Sequence, residues 1–289
     1  MATLRDIRRK ISAVKKTQQI TKAMNMVAAA KLRGSQTRME NFRPYAQSFA
    51  KMLGNLAAGV QPEIHPFFQQ AAEVTKVGLV LMTADRGLCG SFNVNLINTA
   101  VKFIRAKEAQ GIKVSLTCVG RKGRDFYRRR KADMARGYVD VWNKFDYTSA
   151  QVVAREVMND FLAGDVQEVY LIHANFVNMA IQRPRLVKLL PISPEEALEG
   201  GGTAEYIFEP PVEQFLEYLL PRYVNVLVYH GMLENATSEN AARMTAMDNA
   251  SSNCKEMITQ LTLVMNKARQ ATITKELMDI VGGAEALKG

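Results

Sequence analysis

The chain has 289 residues, is 47% hydrophobic and 23% charged, and carries a formal net charge of +10. That length supports one large or two small domains with a sizeable core, and no apolar run approaches the ~20 residues of a membrane-spanning helix. The basic balance favours acidic partners without choosing among nucleic acid, anionic lipid and acidic protein. Cys89, Cys118 and Cys254 form no CxxC pair, which argues against a disulfide framework or a zinc site and fits a reducing compartment.

The opening MATLRDIRRKISAVKK is basic but has neither the apolar region nor the cleavage site of a secretory signal. Its pattern continues far downstream, so it reads as structure: a first helical block over residues 1–58. Leu4, Ile7, Ile11 and Val14 step by 3, 4, 3. The seam then turns polar at Gln18, Thr21 and Asn25, while Ile20, Met24 and Val27 carry apolar character on a shifted phase. Pro44 predicts a kink or a fresh start. The basic residues from Arg5 to Arg33 lie mostly off the stripe. They are either a solvated face or the surface of a rod in an acidic surround.

A linker at 59–73, with Gly59, Pro62 and Pro66, precedes an inserted domain at 74–208. Lys76–Thr83 reads as a strand, Phe92–Ala109 as a helix stopped by Gly111, and Val114–Val119 as a second strand. Asp146–Leu162 is a helix with Thr148 or Ser149 as N-cap, ended by Gly164. Glu168–Ala174 is a third strand. Pro184–Pro191 is extended and leads to a loop with Gly200, Gly201 and Gly202. The alternation predicts a small α/β layer of parallel strands, Rossmann-like in type. ADRGLCGS follows the first strand but has neither GxxxxGK[ST] nor GxGxxG spacing, so a tight turn with close backbone approach is the favoured reading. Arg121, Lys122, Arg124, Arg128, Arg129, Arg130 and Lys131, with Phe126 and Tyr127, read as a solvated edge or a contact with acidic protein rather than a nucleic-acid site. His65, His173 and His230 are scattered and read as structural.

Residues 209–289 form the second helical block. Glu239–Ile280 contains no glycine or proline. Met244, Met247, Ser251, Cys254, Ile258, Leu261, Met265 and Ala268 step by 3, 4, 3, 4, 3, 4, 3, which is coiled-coil spacing. Forty such residues span roughly 60 Å, too long to stand alone. Antiparallel pairing of the two terminal helices buries both stripes, and a 3.5-residue period implies a left-handed supercoil. Pro221 predicts a kink or break near Leu220. The fold class is therefore α/β plus a long antiparallel coiled coil. No serine–histidine–acid group or paired-carboxylate site stands out from spacing.

Three blocks carry a family likeness. DIRRKISAVKKTQQITKAMNMVAAAKLR (Asp6–Arg33), TADRGLCGSFNVN (Thr83–Asn95), and ENAARMTAMDNAS (Glu239–Ser251) with NKARQATITKELMDIVGGAEA (Asn266–Ala286) resemble the gamma subunit of F-type ATP synthases. The resemblance implies a non-catalytic central rotor stalk without a cofactor. Its partners would be a hexamer of alpha and beta subunits, the epsilon subunit and the c ring, with no nucleic acid. Membrane association would come through partners only, at the cytoplasmic face of a bacterial inner membrane. By the same likeness Met24, Arg243, Lys267, Arg269, Gln270, Thr274 and Glu276 match positions that meet the catalytic hexamer, and of these Arg243, Lys267, Arg269, Gln270 and Glu276 are expected to face outward. Tyr206 and Glu209, in EYIFEP, match the foot on the c ring. Ser91 and Phe92 depart from the glycine and leucine frequent in the family, as Pro221 does from a helix former. No cysteine-bearing insertion of the chloroplast type is present, so thiol control of rotation is not expected.

Overall fold

A computed structural model describes residues 3–58, 62–192 and 212–286. In chain order the elements are α1 (Leu4–Ala58), β1 (Lys76–Met82), α2 (Phe92–Glu108), β2 (Lys113–Val119), α3 (Arg121–Arg129), β3 (Met134–Tyr138), α4 (Tyr147–Leu162), β4 (Glu168–Phe176), β5 (Gln182–Leu190) and α5 (Val212–Ala286). They fall into two compact units, one of residues 29–243 and one pairing residues 3–28 with 244–286. The boundary runs through α1 and α5. The loop expected at Gly200–Gly202 lies outside the described residues.

In the larger unit five strands lie in the order β3-β2-β1-β4-β5. β1 to β4 run parallel, and β5 returns antiparallel to β4. The three expected strands are present, and so are the helices Phe92–Glu108 and Tyr147–Leu162. The cap of α4 differs from expectation. Asp146 is the N-cap, and Ser149 closes the capping box from inside, its backbone N–H donating to Asp146 Oδ1 at 2.9 Å. The antiparallel strand β5 was foreseen only as an extended segment.

Two elements were not foreseen. α3 (RKGRDFYRR) buries only Gly123 and Tyr127, one turn apart, so it lacks the apolar stripe that marks a helix in sequence. β3 (MARGY) is five residues long and half-buried on alternate positions. β3 is held by its pairing with β2, and α3 is held by the turn after β1. Arg121 N–H donates to Asp85 Oδ1 (2.9 Å), Lys122 N–H to the Ala84 carbonyl (3.1 Å) and Gly123 N–H to Thr83 Oγ1 (2.9 Å). The turn after β1 thus satisfies the free N–H groups that open α3. Close backbone approach was expected at this turn's own glycines, but its glycine is Gly120, at the end of β2. Gly120 has φ +114, and a Cβ there would collide with the Thr83 carbonyl oxygen.

α5 docks on the β4 side of the sheet. β4 runs past the end of β1, whose pairing stops at Ile172. Asn235 and Ser238 of α5 take over from there. Asn235 Oδ1 accepts from Ala174 N–H at 3.2 Å, and Ser238 Oγ donates to the Ala174 carbonyl at 3.3 Å. Gly231 lets the helix close on Leu171, where a Cβ would sit 3.0 Å from the leucine Cδ2. Aromatic rings join α1 to α5 in this unit: Phe42 meets Tyr229 edge-on with centroids 4.8 Å apart, and Phe49 stacks on Tyr223 at 6.1 Å. Neither proline ends its helix. Pro44 and Pro221 lie inside α1 and α5, and each frees a carbonyl four residues back at an exposed residue, Glu40 or Glu217, within reach of water.

The smaller unit is the expected antiparallel pair. Asn25 Nδ2 donates to the Met244 carbonyl (2.9 Å) and Gln18 Nε2 to the Ser251 carbonyl (3.4 Å), one heptad apart in opposite directions. On α5 the positions from Met244 to Ala268 named above are all covered, with Ala246, Ala250 and Thr262 beside them. On α1 the expected shift of phase does not occur. The seam continues straight through Gln18, Thr21, Asn25 and Ala28, leaving Ile20 and Val27 each 59% exposed. Geometry fixes which side faces the partner, and the polar side chains there reach backbone carbonyls instead of turning away.

Ile7→Ser, at a buried seam position, is expected to lower stability by about 2 kcal/mol. Ile20→Ser is expected to stay within about 0.5 kcal/mol. Thermal unfolding followed by circular dichroism compares them, and equal losses would restore the shifted phase. Gly120→Ala is expected to cost about 3 kcal/mol through strain and collision, read in the same measurement.

Candidate functional site

The residues that the family likeness singles out do not form one cluster. Lys267, Arg269, Gln270, Thr274 and Glu276 are all exposed on α5, within roughly 15 Å of helix axis at ~1.5 Å per residue. Met24 is half-buried beside the α1 seam. Tyr206 and Glu209 lie outside the described residues. Arg243 does not face outward. Its side chain is 14% exposed, and its Nη2 donates to Glu239 Oε1 at 2.7 Å and to the Gly87 carbonyl at 3.3 Å.

The α5 segment holding most of these residues is bare. From Arg269 to Ala284 every residue is exposed, including Ile273, Leu277, Ile280 and Val281. Ile273, Leu277, Ile280 and Ala284 step by 4, 3, 4, an apolar stripe at helical spacing that no described part of this chain covers. Charged and polar residues flank it. On α1, Arg5, Arg8, Arg9, Lys10, Lys15, Lys16 and Lys22 are exposed as well. This surface suits contact with an enclosing partner that is apolar at one level and acidic at another.

ADRGLCGS acts as a bracket within the fold: Asp85 Oδ1 accepts from α3, Ala84 N–H donates to Asn93 Oδ1 (2.9 Å), and the Gly87 carbonyl accepts from Arg243. Arg243 therefore ties α5 to the carboxyl end of β1, where an open α/β sheet with this strand order would otherwise keep a ligand crevice.

A second polar group was not read from the sequence. Glu234 on α5 is 3% exposed. Its Oε1 lies 3.7 Å from Arg43 on α1 and 3.7 Å from His230 Nε2, and its Oε2 lies 3.6 Å from His173 Nδ1 on β4. Burial pushes the Glu234 carboxyl up to about 7, against the pull of Arg43 and of Arg185 on β5. Burial also holds His173 down to about 3 and His230 down to about 4, so both imidazoles are neutral near pH 7. The signal was present in the run Glu234, Asn235, Thr237, Ser238 and Glu239: so many polar residues are buried only when a helix is enclosed on all sides.

The family profile described as ATP synthase matches residues 3–287. The ATP synthase gamma chain of Syntrophobacter fumaroxidans is 54% identical, with full coverage of both chains. Among solved structures, the central stalk and c ring of Tetrahymena thermophila mitochondrial ATP synthase contains a chain 26% identical to this one. The match covers 80% of this chain and 99% of that one at a TM-score of 0.62. A chain of the Euglena gracilis mitochondrial ATP synthase OSCP/F1/c-ring structure shares the fold at a TM-score of 0.69 and 20% identity, covering 98% of this chain and 94% of that one.

Glu234 holds its proton more tightly when folded, about 7 against an ordinary 4.5. Its contribution to stability is therefore complete below pH 4.5 and is lost as pH rises through 7. Glu234→Gln removes this dependence and leaves the histidine contributions common to both proteins. Relative to the unsubstituted chain, the variant is expected to be about 1.4 kcal/mol more favourable at pH 8 than at pH 6. Denaturant titrations at the two pH values measure it. A difference unchanged with pH would mean Glu234 is ionised throughout.

Proposed function

This chain belongs to the ATP synthase gamma-chain family, and on that premise we propose how it works as the central stalk. It is the gamma subunit of an F-type ATP synthase, with a catalytic alpha/beta hexamer and a c ring as partners. The observation that carries the mechanism is the bare end of α5, where an apolar stripe on an exposed helix calls for an enclosing sleeve.

Residues 1–58 and 209–289 act as the stalk and residues 74–208 as its globular part, joined by the linker at 59–73. The stalk does no chemistry of its own and changes which catalytic site is open as it turns. Met24, Lys267, Arg269, Gln270, Thr274 and Glu276 meet the hexamer, while Arg243 contributes through its anchorage on the Gly87 turn. Exposed ion pairs are worth about 0–1 kcal/mol each, so basic stalk residues passing acidic loops attract without locking. An apolar tip turning in an apolar collar has no specific hydrogen bonds to break. Tyr206 and Glu209 rest on the c ring, with the epsilon subunit alongside. Among the described residues no helix is long and apolar enough to cross a membrane. Attachment through these partners at the cytoplasmic face of a bacterial inner membrane fits that.

Removing this chain from the assembled complex is expected to abolish proton-driven ATP synthesis, and adding it back to restore it. A complex without it that still made ATP from a gradient would end this reading. Photocrosslinkers at Arg269 or Gln270 are expected to label alpha or beta, and one at Tyr206 the c subunit. Labelling of other chains alone would remove those assignments.

A further inference from the structure

α5 carries two buried glutamates less than two turns apart, and they are partnered differently. Glu239 accepts from Arg243 Nη2 at 2.7 Å, the length of a charge-assisted hydrogen bond. Glu234 is more deeply enclosed, 3% exposed against 8%, yet neither of its oxygens is held that way. Oε1 stands 3.7 Å from Arg43 and 3.7 Å from His230 Nε2, beyond hydrogen-bonding range. Oε2 faces His173 Nδ1 at 3.6 Å, and both atoms are buried without a hydrogen-bond partner.

The groups around Glu234 come from every element packed against it: Arg43 from α1, His173 from β4, Arg185 from β5 and His230 from α5 itself. Burial keeps both imidazoles neutral near pH 7, so neither supplies the positive charge that a buried carboxylate needs. The arginines do not close on it. The Arg43 side chain is 42% exposed and lines a groove of about 440 Å³ with Gln36, Glu40 and Asn178, and Arg185 is exposed. A carboxylate in this position is undercompensated. A carboxylic acid is not, because its O–H supplies a donor to the imidazole lone pair at His173 Nδ1, with the ring proton on Nε2.

We propose that Glu234 and His173 form a buried proton-binding site, and that Arg43 takes the proton's place when it leaves. Near neutral pH the joint between α1 and α5 thus exchanges an O–H···N hydrogen bond for an ion pair. All of these residues lie within the sheet unit, so the site does not depend on the rotary reading.

The test uses the full chain. Infrared spectra at pH 6 and pH 8 are expected to show a carboxylic C=O band at pH 6 that is largely gone at pH 8 and is missing from Glu234→Gln at both. His173→Phe should move that band to higher frequency, since the O–H loses its acceptor. Arg43→Met should shift the loss of the band about one pH unit higher, a tenfold tighter hold on the proton. Denaturant titrations read the same exchange from the other side. The loss in the folding equilibrium constant caused by Arg43→Met should be about five-fold greater at pH 8 than at pH 6. No such band in the unsubstituted chain at pH 6, or one that survives in Glu234→Gln, would overturn the proton site. An unmoved band in His173→Phe would overturn the pairing with His173, and an Arg43→Met loss equal at the two pH values would overturn the exchange.

Discussion

The free backbone of Ala174 is the point on which the larger unit depends. β4 outruns its neighbour β1, and a buried N–H and C=O left unpaired would each cost about 1–3 kcal/mol. α5 supplies both partners, Asn235 and Ser238, and Gly231 removes the side chain that would hold it off the sheet. These contacts fix the height of the helix as well as its approach. A slide along its axis would orphan Ala174 and drive a side chain into Leu171. The Glu234 group and the aromatic rings add to an orientation already set.

Where α5 leaves that unit, the physics changes. The paired segment of the smaller unit has a narrow seam with Gln18, Thr21 and Asn25 in it. Polar seam residues give up apolar burial and specify register by their hydrogen bonds. Beyond Ala268 no described side chain of this chain covers α5. Burial thus declines along one helix, from enclosed on all sides at 231–239, through paired, to bare.

Much of this was legible. The heptad steps on α5 located its covered positions from Met244 to Ala268, and the alternation of strand and helix gave the parallel sheet. Gly111 and Gly164 marked helix ends, each with positive φ. The failures share a cause. α3 and β3 are short and held by neighbours, so neither carries a period long enough to read. The apolar phase through Ile20 and Val27 misled because hydrophobicity was read without a partner to define the inside. The contact residues came from the family likeness alone. Exposed polar residues on a helix have no pattern that separates an interface from a solvated face.

Sequence by itself determined that two terminal helices must pair, that a small parallel-stranded domain lies between them, and the family to which the chain belongs. Periodicity and local propensity are properties of neighbouring residues, and family blocks are contiguous. Tertiary structure alone decided which face of α1 is inside, that ADRGLCGS caps α3 and grips α5, that Arg243 turns inward to Glu239 and Gly87, and that Glu234 shares a buried site with two histidines. Each of these joins residues far apart in the chain. Contacts between distant segments fix them, and no single segment can express those.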